Sequence, residues 1–345
     1  MNPSPWRITF DTNPDDCNLH CVMCEEHSHL SDRQARRQAA GRPPRRMNIE
    51  ILESVLEELR DNPPQEIIPS TMGEPLLYRE FDRIIELCRR YGVRLNLTTN
   101  GTFPGRGAAA WGEAIVPVGA DVKISINGMR PETQTGIMCG SSLEKVLANA
   151  REFLAVRDRH AAAGGNYCSV TFQVTYLEPN IGELPDLVRL ATHMGVDRVK
   201  GHHVWTHFPE LEPMSMRRDQ ESIRRFNAIV EQTRQAAQEN RRADGRPVKL
   251  ENLFPLSEQT TTDIAPGAEC PFLGREAWIN WQGQFDPCCA PDEQRKSLGH
   301  FGRVQDSGFM AIWQGPEYRR LCNDYAGRGL CRSCNMRHPP TGGVA

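Results

Sequence analysis

The sequence predicts an α/β protein with a parallel sheet and covering helices, followed by a small C-terminal module that carries cysteines. Strand-like and helix-like patterns alternate six times between residues 7 and 203, which is typical of a parallel sheet. The chain has 345 residues, enough for one large and one small domain. Its hydrophobic fraction of 39% and charged fraction of 25% are those of a globular protein. We therefore expect one (β/α)6 unit in residues 1–255 and a second module in residues 256–345.

The elements of the first unit follow from the periodicity of its apolar residues. Strands are predicted at residues 7–11, 66–69, 93–99, 121–126, 169–176 and 197–203. Helices are predicted at residues 47–60, 79–91, 108–115, 142–159, 184–194 and 217–240. In such folds the functional groups lie at the carboxyl ends of the strands. Residues that follow each predicted strand are therefore candidate site residues.

Three cysteines, Cys17, Cys21 and Cys24, follow the first predicted strand at C-x3-C-x2-C spacing. Thiolates are soft ligands that favour iron–sulfur clusters, zinc and Cu(I). A four-iron cluster normally takes four cysteines. A loop that supplies three therefore leaves one iron open to another ligand. Zinc and a chance group of cysteines are the alternatives.

The spacing, with Val22 and Met23 between the last two cysteines, resembles the radical S-adenosylmethionine (SAM) superfamily. The resemblance implies a partial (β/α)6 barrel and a [4Fe–4S] cluster held by the three cysteines. It implies that the open iron binds the amino and carboxylate groups of SAM. One electron from the cluster then cleaves SAM to methionine and a 5′-deoxyadenosyl radical, which takes a hydrogen atom from the substrate.

A turn after the second predicted strand is the first expected SAM contact. Met72, Gly73 and Glu74 resemble the family's Gly-Gly-Glu-Pro motif, with Met72 in place of the first glycine. In the family this motif accepts hydrogen bonds from the SAM ammonium group, and charge-assisted bonds of this kind are strong. The alternative is a plain turn.

Later strands end in further candidates for SAM binding. Asn100 follows the third strand, and Ser125 and Asn127 end the fourth, where the family binds the SAM ribose and carboxylate. Asn-Gly pairs are also ordinary turn residues. His202 belongs to a group at the end of the sixth strand that we expect to line the pocket, with packed polar surface as the alternative. The other members of that group are His203, Trp205 and His207.

Two residues are candidates for the catalytic step. Cys139 lies in the loop after the fourth strand, and a thiol can return a hydrogen atom to a carbon radical. The alternative for Cys139 is a small residue packed as a hydrophobe. Glu178 follows the fifth strand and is the best-placed carboxylate for a general base. Most such glutamates face solvent.

The C-terminal module carries a second group of cysteines. Cys270 is followed by twelve residues, Gly283, four residues and Cys288, and Cys331 and Cys334 form a C-x2-C pair. Alternation in residues 277–284 predicts a hairpin that turns at Gly283. Zinc is the rival ligand, since structural zinc also takes four cysteines.

This spacing resembles the auxiliary-cluster extension of radical SAM enzymes called SPASM. The residues after Cys334 contain no further cysteine, so the match is to the shortened "twitch" form. The resemblance implies a second, auxiliary [4Fe–4S] cluster held by Cys270, Cys288, Cys331 and Cys334. Cys289 and Cys322 are expected to be bystanders.

Composition limits the partners and the compartment. The net charge of −3 gives no electrostatic case for binding nucleic acid or an anionic membrane. The sequence has no signal peptide and no apolar stretch of membrane-spanning length, so we expect a cytoplasmic protein. The twelve cysteines then favour metal ligation over disulfides. Six arginines in residues 33–46 favour a solvated surface loop, with a lid that binds an anion as the alternative.

The whole pattern resembles the dehydrogenases and epimerases of aminocyclitol and aminoglycoside biosynthesis. The resemblance implies hydrogen abstraction from a carbinol carbon of a carbohydrate-like small molecule, with an electron donor such as flavodoxin or ferredoxin. The product would be a ketone or an inverted alcohol. Maturation of a ribosomal peptide is the alternative, although the cluster loop begins at Cys17 and leaves little room for an N-terminal peptide-binding domain. A non-enzymatic iron–sulfur scaffold is a third option.

Overall fold

A computed structural model describes residues 4–70, 72–258, 269–332, 334, 336 and 337 of the chain. The strands are β1 Arg7–Phe10, β2 His20–Cys21, β3 Glu66–Ile68, β4 Arg94–Thr99, β5 Gly119–Ser125, β6 Met138–Cys139, β7 Ser169–Tyr176, β8 Arg198–His203, β9 Lys249–Glu251, β10 Glu276–Ile279 and β11 Phe285–Asp286. The helices are α1 Arg33–Ala39, α2 Ile49–Glu58, α3 Phe81–Tyr91, α4 Gly107–Ile115, α5 Pro131–Ile137, α6 Leu143–Ala162, α7 Leu184–Met194, α8 Gln220–Glu239, α9 Asp292–Arg295, α10 Val304–Ser307, α11 Phe309–Trp313, α12 Pro316–Asp324 and α13 Gly329–Arg332.

One large sheet organises the fold, in the order β11-β10-β1-β3-β4-β5-β7-β8-β9. Every pairing from β10 to β9 is parallel, and β10 pairs with β11 antiparallel. The six strands expected from the sequence are β1, β3, β4, β5, β7 and β8, and they are consecutive in this sheet. The predicted α/β class and the β/α alternation are confirmed. The short strands β2 and β6 form a separate antiparallel pair, which the sequence did not predict.

The C-terminal module extends the same sheet. The predicted hairpin is present as β10 and β11, and Gly283 in its turn has a φ of 81°, which favours glycine. Strand β10 lies parallel to β1, with Arg7 opposite Glu276. The guanidinium of Arg7 lies 2.5 Å from the carboxylate of Glu276, so an ion pair reinforces the junction. The proposed boundary at residue 255 stays a prediction, and its marker residues Thr260, Thr261, Thr262 and Pro266 lie outside the described residues.

Helix caps and buried apolar faces fix the covering helices. Asn48 accepts a hydrogen bond from the amide of Glu50 at the start of α2, and Ser142 accepts one from Lys145 at the start of α6. Such caps each contribute about 1 kcal/mol. Leu52 on α2 is fully buried, and a side chain of this size contributes about 1.5–3 kcal/mol when removed from water.

The arginine-rich stretch is not the solvated loop favoured from the sequence. Residues 33–39 form α1, and two of its arginines, together with Arg45 beyond the helix, pair with carboxylates next to the cluster loop. Arg37 and Arg45 both contact Asp15 and Glu26, at 2.6–2.9 Å. Arg33 pairs with Glu26, 3.1 Å away, and with Glu25. Buried carboxylates require cationic partners, which explains why this charge run faces inward.

Among the described residues, no helix combines the length and apolar character needed to cross a membrane.

Candidate active site

The carboxyl ends of the central strands surround a cavity of about 340 Å³. The three thiols of the N-terminal loop, Cys17, Cys21 and Cys24, line one side. The predicted SAM-binding residues form much of the remaining wall. These are Met72, Gly73, Glu74, Asn100, Ser125, Asn127 and His202. The structure therefore brings together residues from five separate segments that the sequence nominated one by one.

The cysteine loop is held against the barrel by backbone pairing. Cys21 in β2 lies opposite Met138 in β6, and the amide of Val22 donates to the carbonyl of Ile137, 2.9 Å away. A ring nitrogen of His27 lies 2.8 Å from the carbonyl of Pro14, which ties the end of the loop to its beginning. The arginine and carboxylate network described above packs behind the same loop. These contacts fix the loop without using its thiols.

The thiols suit a soft metal centre. Burial raises the pKa of Cys17 to about 11 and also raises the pKa values of Cys21 and Cys24. They would therefore be neutral until a metal displaces their protons. Within the described residues, no three His, Cys, Asp or Glu side chains form a group that could hold one metal ion as placed. Three thiols on one cavity wall nevertheless form the soft donor set that a cluster with one open iron requires.

Gly73 allows the turn after β3 to approach the loop that carries Asn13 and Asp16. A Cβ atom at Gly73 would lie 2.0 Å from the carbonyl oxygen of Asn13 and 2.8 Å from that of Asp16. The amide of Glu74 donates to that same Asp16 carbonyl, 2.8 Å away. Because glycine has no side chain, the turn after β3 can pack directly against the segment that leads into the cysteine loop.

Glu74 is buried on the cavity wall and hydrogen-bonded to the end of β4. Its carboxylate accepts bonds from the amide of Asn100 and the hydroxyl of Thr99, both at 2.8 Å, and from the amide of Leu76 at 3.3 Å. Burial raises the pKa of Glu74 to about 7, although these donors favour the ionised form. A bound cation such as an ammonium group would favour the carboxylate further.

Asn100 and Asn127 position neighbouring strands as well as lining the cavity. The Asn100 side chain donates to Asn18 at 2.8 Å, which links β4 to the cysteine loop. The side-chain oxygen of Asn127 accepts from the amide of Thr175 at 2.7 Å, which links β5 to β7. Both amides therefore fix the cavity's shape.

His202 is neutral at physiological pH. Burial, and then the Lys200 ammonium, lower the pKa of His202 to about 4. Its Nε2 atom lies 3.1 Å from the hydroxyl of Thr175. His202 can therefore line the cavity as a neutral residue that forms hydrogen bonds. Protonation of its imidazole is unfavourable near neutral pH.

A second pocket contains the C-terminal cysteines. Cys270, Cys288, Cys331 and Cys334 line it together with apolar side chains, and Cys289 lines it as well. Burial raises the pKa of Cys288 to about 12 and that of Cys331 to about 11. Four predicted ligands thus meet at one place, and the fifth thiol was expected to be a bystander.

Trp205 joins the two pockets. It lines both the cavity that contains the N-terminal thiols and the pocket that contains the C-terminal thiols. Trp205 follows β8, so the two groups of cysteines lie on either side of a residue at the end of the last predicted barrel strand.

Comparison with known proteins decides the family. The model of the Radical SAM superfamily matches residues 14–191, and the model of the SPASM iron–sulfur cluster-binding domain matches residues 270–335. The chain belongs to the radical SAM superfamily. It therefore has a radical SAM barrel with a C-terminal SPASM module. Its cofactors are a [4Fe–4S] cluster, SAM and auxiliary iron–sulfur clusters.

Solved radical SAM structures share this fold. SuiB of Streptococcus suis bound to SAM matches with a TM-score of 0.66 and 15% identity, covering 96% of this chain and 72% of SuiB. The protein anSMEcpe with bound SAM matches with a TM-score of 0.65 and 14% identity, covering 96% of this chain and 85% of that one. A curated relative is the tungsten-containing aldehyde ferredoxin oxidoreductase cofactor-modifying protein of Pyrococcus furiosus. It is 21% identical over 337 residues, covering 93% of this chain and 85% of the relative.

The two candidate catalytic residues do not line the radical SAM cavity. Cys139 lies opposite His20 in the β2–β6 pair, while its neighbour Met138 lines the wall. Glu178 is paired with Arg218, 2.7 Å away, and with Arg225. Cys139 nevertheless lies close enough to Cys21 to affect its pKa, whereas two arginines hold the Glu178 carboxylate outside the cavity.

Several cavity residues were not singled out from the sequence. Gln173 and Thr175 line the wall from β7, and their spacing of two marks one face of a strand, which was a usable signal. Glu25 also lines the cavity, directly after the last cysteine of the loop. No sequence pattern distinguishes Glu25 from the neighbouring Glu26, whose carboxylate pairs with three arginines.

Proposed function

We propose that this radical SAM enzyme oxidises a carbinol carbon of a sugar-like or aminocyclitol-like small molecule to a ketone. The supporting observation is that Trp205 lines both the SAM cavity and the auxiliary thiol pocket. A substrate bound in the cavity would lie one side chain away from an electron acceptor. Net oxidation needs such an acceptor, whereas epimerisation does not.

Alcohol oxidation removes two electrons and two protons from the substrate. When bound, SAM and its cluster supply a carbon radical that takes one hydrogen atom, and the auxiliary cluster supplies an acceptor for the remaining electron. The hydroxyl proton must then pass to a base. The protein's own residues bind the substrate, orient its carbon and accept that proton.

His207 is the proton acceptor that the cavity favours. Burial, and then the charge of Arg33, lower the pKa of His207, so its imidazole is neutral near pH 7. Its Nδ1 atom lies 4.0 Å from the carboxylate of Glu25, which pairs with Arg33. Such distances often shorten when substrate binds. Glu25 would then orient the imidazole and stabilise its protonated form.

The polar wall suits a hydroxylated substrate. Glu25, Gln173, Thr175 and His207 line the cavity away from the SAM motif, and they offer several donors and acceptors. Small-molecule sites commonly use a few convergent polar groups of this kind. The Pyrococcus furiosus relative is named for modifying a cofactor, which is also a small molecule.

Peptide maturation is the second candidate. SuiB was solved bound to its precursor peptide SuiA, and anSMEcpe was solved with the peptides Cp18Cys and Kp18Cys. These complexes show that peptides bind this fold in those proteins. Epimerisation with Cys139 as hydrogen donor remains a variant of the first proposal, although the thiol would have to reach the cavity from the β2–β6 pair.

The test uses anaerobically reconstituted protein with SAM and dithionite. The small-molecule probe is 2-deoxystreptamine deuterated at its carbinol carbons, and the competing probe is a synthetic peptide that contains serine and cysteine. Deuterium in 5′-deoxyadenosine together with a ketone supports oxidation. An inverted alcohol indicates epimerisation, and turnover of the peptide alone overturns the small-molecule proposal.

Two variants refine that experiment. Trp205→Ala should separate hydrogen abstraction from ketone formation, with deuterium transfer retained and the ketone yield reduced. Trp205→Phe keeps an aromatic side chain and should restore much of the yield. Cys17→Ala is the control, because loss of one cluster ligand should abolish deuterium transfer itself.

A further inference from the structure

Two adjacent cysteines reach the auxiliary pocket because the chain bends there. Cys288 and Cys289 both line the pocket. In an extended strand, neighbouring side chains point to opposite faces. Strand β11 ends at Asp286, and residues 287–290 form consecutive bends before α9 begins. The bend therefore lets two successive thiols face the same space.

Arg295 of α9 holds this bend in place. Its Nη1 atom donates to the carbonyl oxygens of Cys288 and Ala290, at 3.2 and 3.1 Å. Its Nη2 atom lies 3.0 Å from the carboxylate of Asp286. These contacts tie the start, middle and end of the bend to one guanidinium. The positions of both thiols are therefore built into the fold.

The two thiols share their neighbours. Cys288, Cys334 and Cys270 all lie close enough to Cys289 to influence its thiol. Cys270 and Cys334 are likewise close to Cys288. Both thiols also share their pocket with Cys270, Cys331 and Cys334 and with apolar side chains such as Leu273.

We propose that Cys289 is a reserve ligand of the auxiliary cluster, able to replace Cys288. Five thiols line a pocket whose cluster takes four. In the exchange, the iron–sulfur bond to Cys288 is replaced by one to Cys289. The proton of Cys289 passes to the displaced Cys288 or to solvent, and no electron is transferred. The cluster would thereby keep four thiolates if a substrate or oxidant took Cys288 away.

The test compares iron and sulfide content in single and double variants of the full chain, anaerobically reconstituted. The wild type should hold about eight irons in two four-iron clusters. Cys288→Ala and Cys289→Ala should each also retain about eight, and the double variant should fall to about four. Electron paramagnetic resonance of the reduced proteins assigns the remaining irons to the SAM-binding or the auxiliary cluster.

Cys322 supplies the matched control. Its thiol lies close enough to Cys270 for their charges to interact, but it is not among the residues that line the pocket. The Cys288→Ala, Cys322→Ala double variant should therefore keep about eight irons. SAM binding to the N-terminal cluster checks that each variant is folded.

Loss of the auxiliary cluster in Cys288→Ala alone would overturn the proposal, and so would its loss in Cys289→Ala alone. The outcome does not depend on the substrate. A failed exchange would leave the proposed oxidation standing, since that reaction requires an auxiliary cluster but not a fifth thiol.

Discussion

The carboxylate of Glu74 accepts a 2.8 Å hydrogen bond from the backbone amide of Asn100. This bond joins the turn after β3 to the end of β4 on the wall of the cavity that contains the N-terminal thiols. Because Asn100 also donates to Asn18, the contact extends to the cysteine loop. The buried carboxylate of Glu74 thus connects the turn after β3 with the end of β4 and, through Asn100, with the cysteine loop.

Replacing Glu74 by Gln should weaken SAM binding by about 10- to 100-fold, because charged hydrogen bonds are worth about 1.5–3 kcal/mol. The amide can still accept the bond from Asn100, so the fold should survive. Equilibrium binding of SAM to reconstituted protein measures the effect. Glu178→Gln is the control and should bind SAM like the wild type, since Glu178 pairs with arginines outside the cavity. Equal affinity in Glu74→Gln would contradict the assigned contact.

Replacing Gly73 by Ala should destabilise the protein by about 1–3 kcal/mol, the usual cost of forcing extra atoms into a packed region. The new Cβ would collide with the carbonyl of Asn13, 2.0 Å away. Chemical denaturation measures the free energy of unfolding. Gly136→Ala is the matched control: it lies in α5 with open space around its Cβ position, so that variant should be neutral or slightly stabilising.

Replacing Arg45 by Met should lower the free energy of unfolding by about 3 kcal/mol, because it leaves buried Glu26 and Asp15 short of a cation. The side chain of Glu26 is only 2% exposed. Arg36→Met supplies the comparison. Arg36 pairs with Asp32 at 2.6 Å, but both side chains are 70% exposed, so its loss should cost less than about 1 kcal/mol. Equal effects of the two substitutions would indicate that the arginines behind the cysteine loop are ordinary surface charges.

His202 should contribute to acid sensitivity. Its folded-state pKa of about 4 lies below the ordinary value of 6.5, so the unfolded chain binds the proton more readily. The contribution to stability is complete above pH 6.5 and is lost as pH falls towards 4, with a slope of at most about 1.4 kcal/mol per pH unit. In His202→Gln this slope should be shallower.

Much of the barrel could be predicted because its strands and helices have strong local periodicity. Ser169–Tyr176 and Leu184–Met194 have the same bounds in the sequence pattern and in the structure. The pairing of Arg7 with Glu276 could not be predicted, because it joins residues 269 positions apart through side chains that look like surface charges. The pairing of Arg37 with Glu26 could not be predicted either, because both side chains look like surface charges in the sequence.

The candidate site likewise has parts that the sequence could predict and parts that it could not. Cysteine spacing nominated the thiols of both pockets, because the C-x3-C-x2-C loop and the C-terminal C-x2-C pair are patterns typical of cluster ligands. Trp205 belonged to a recognised group, but its place between the pockets depends on where β8 ends relative to the C-terminal module. Cys289 was expected to be a bystander because it is adjacent to a predicted ligand, but the bend held by Arg295 brings it into the same pocket.

The proposed oxidation requires an electron acceptor beside the cavity that binds SAM. The most direct measurement is the metal content of the variant in which Cys17, Cys21 and Cys24 are all replaced by Ala. We expect about four irons and no zinc per chain, held by the C-terminal cysteines. Zinc, or no metal, would overturn the proposed oxidation, because the protein would then lack a built-in acceptor and redox-neutral epimerisation would become the better proposal.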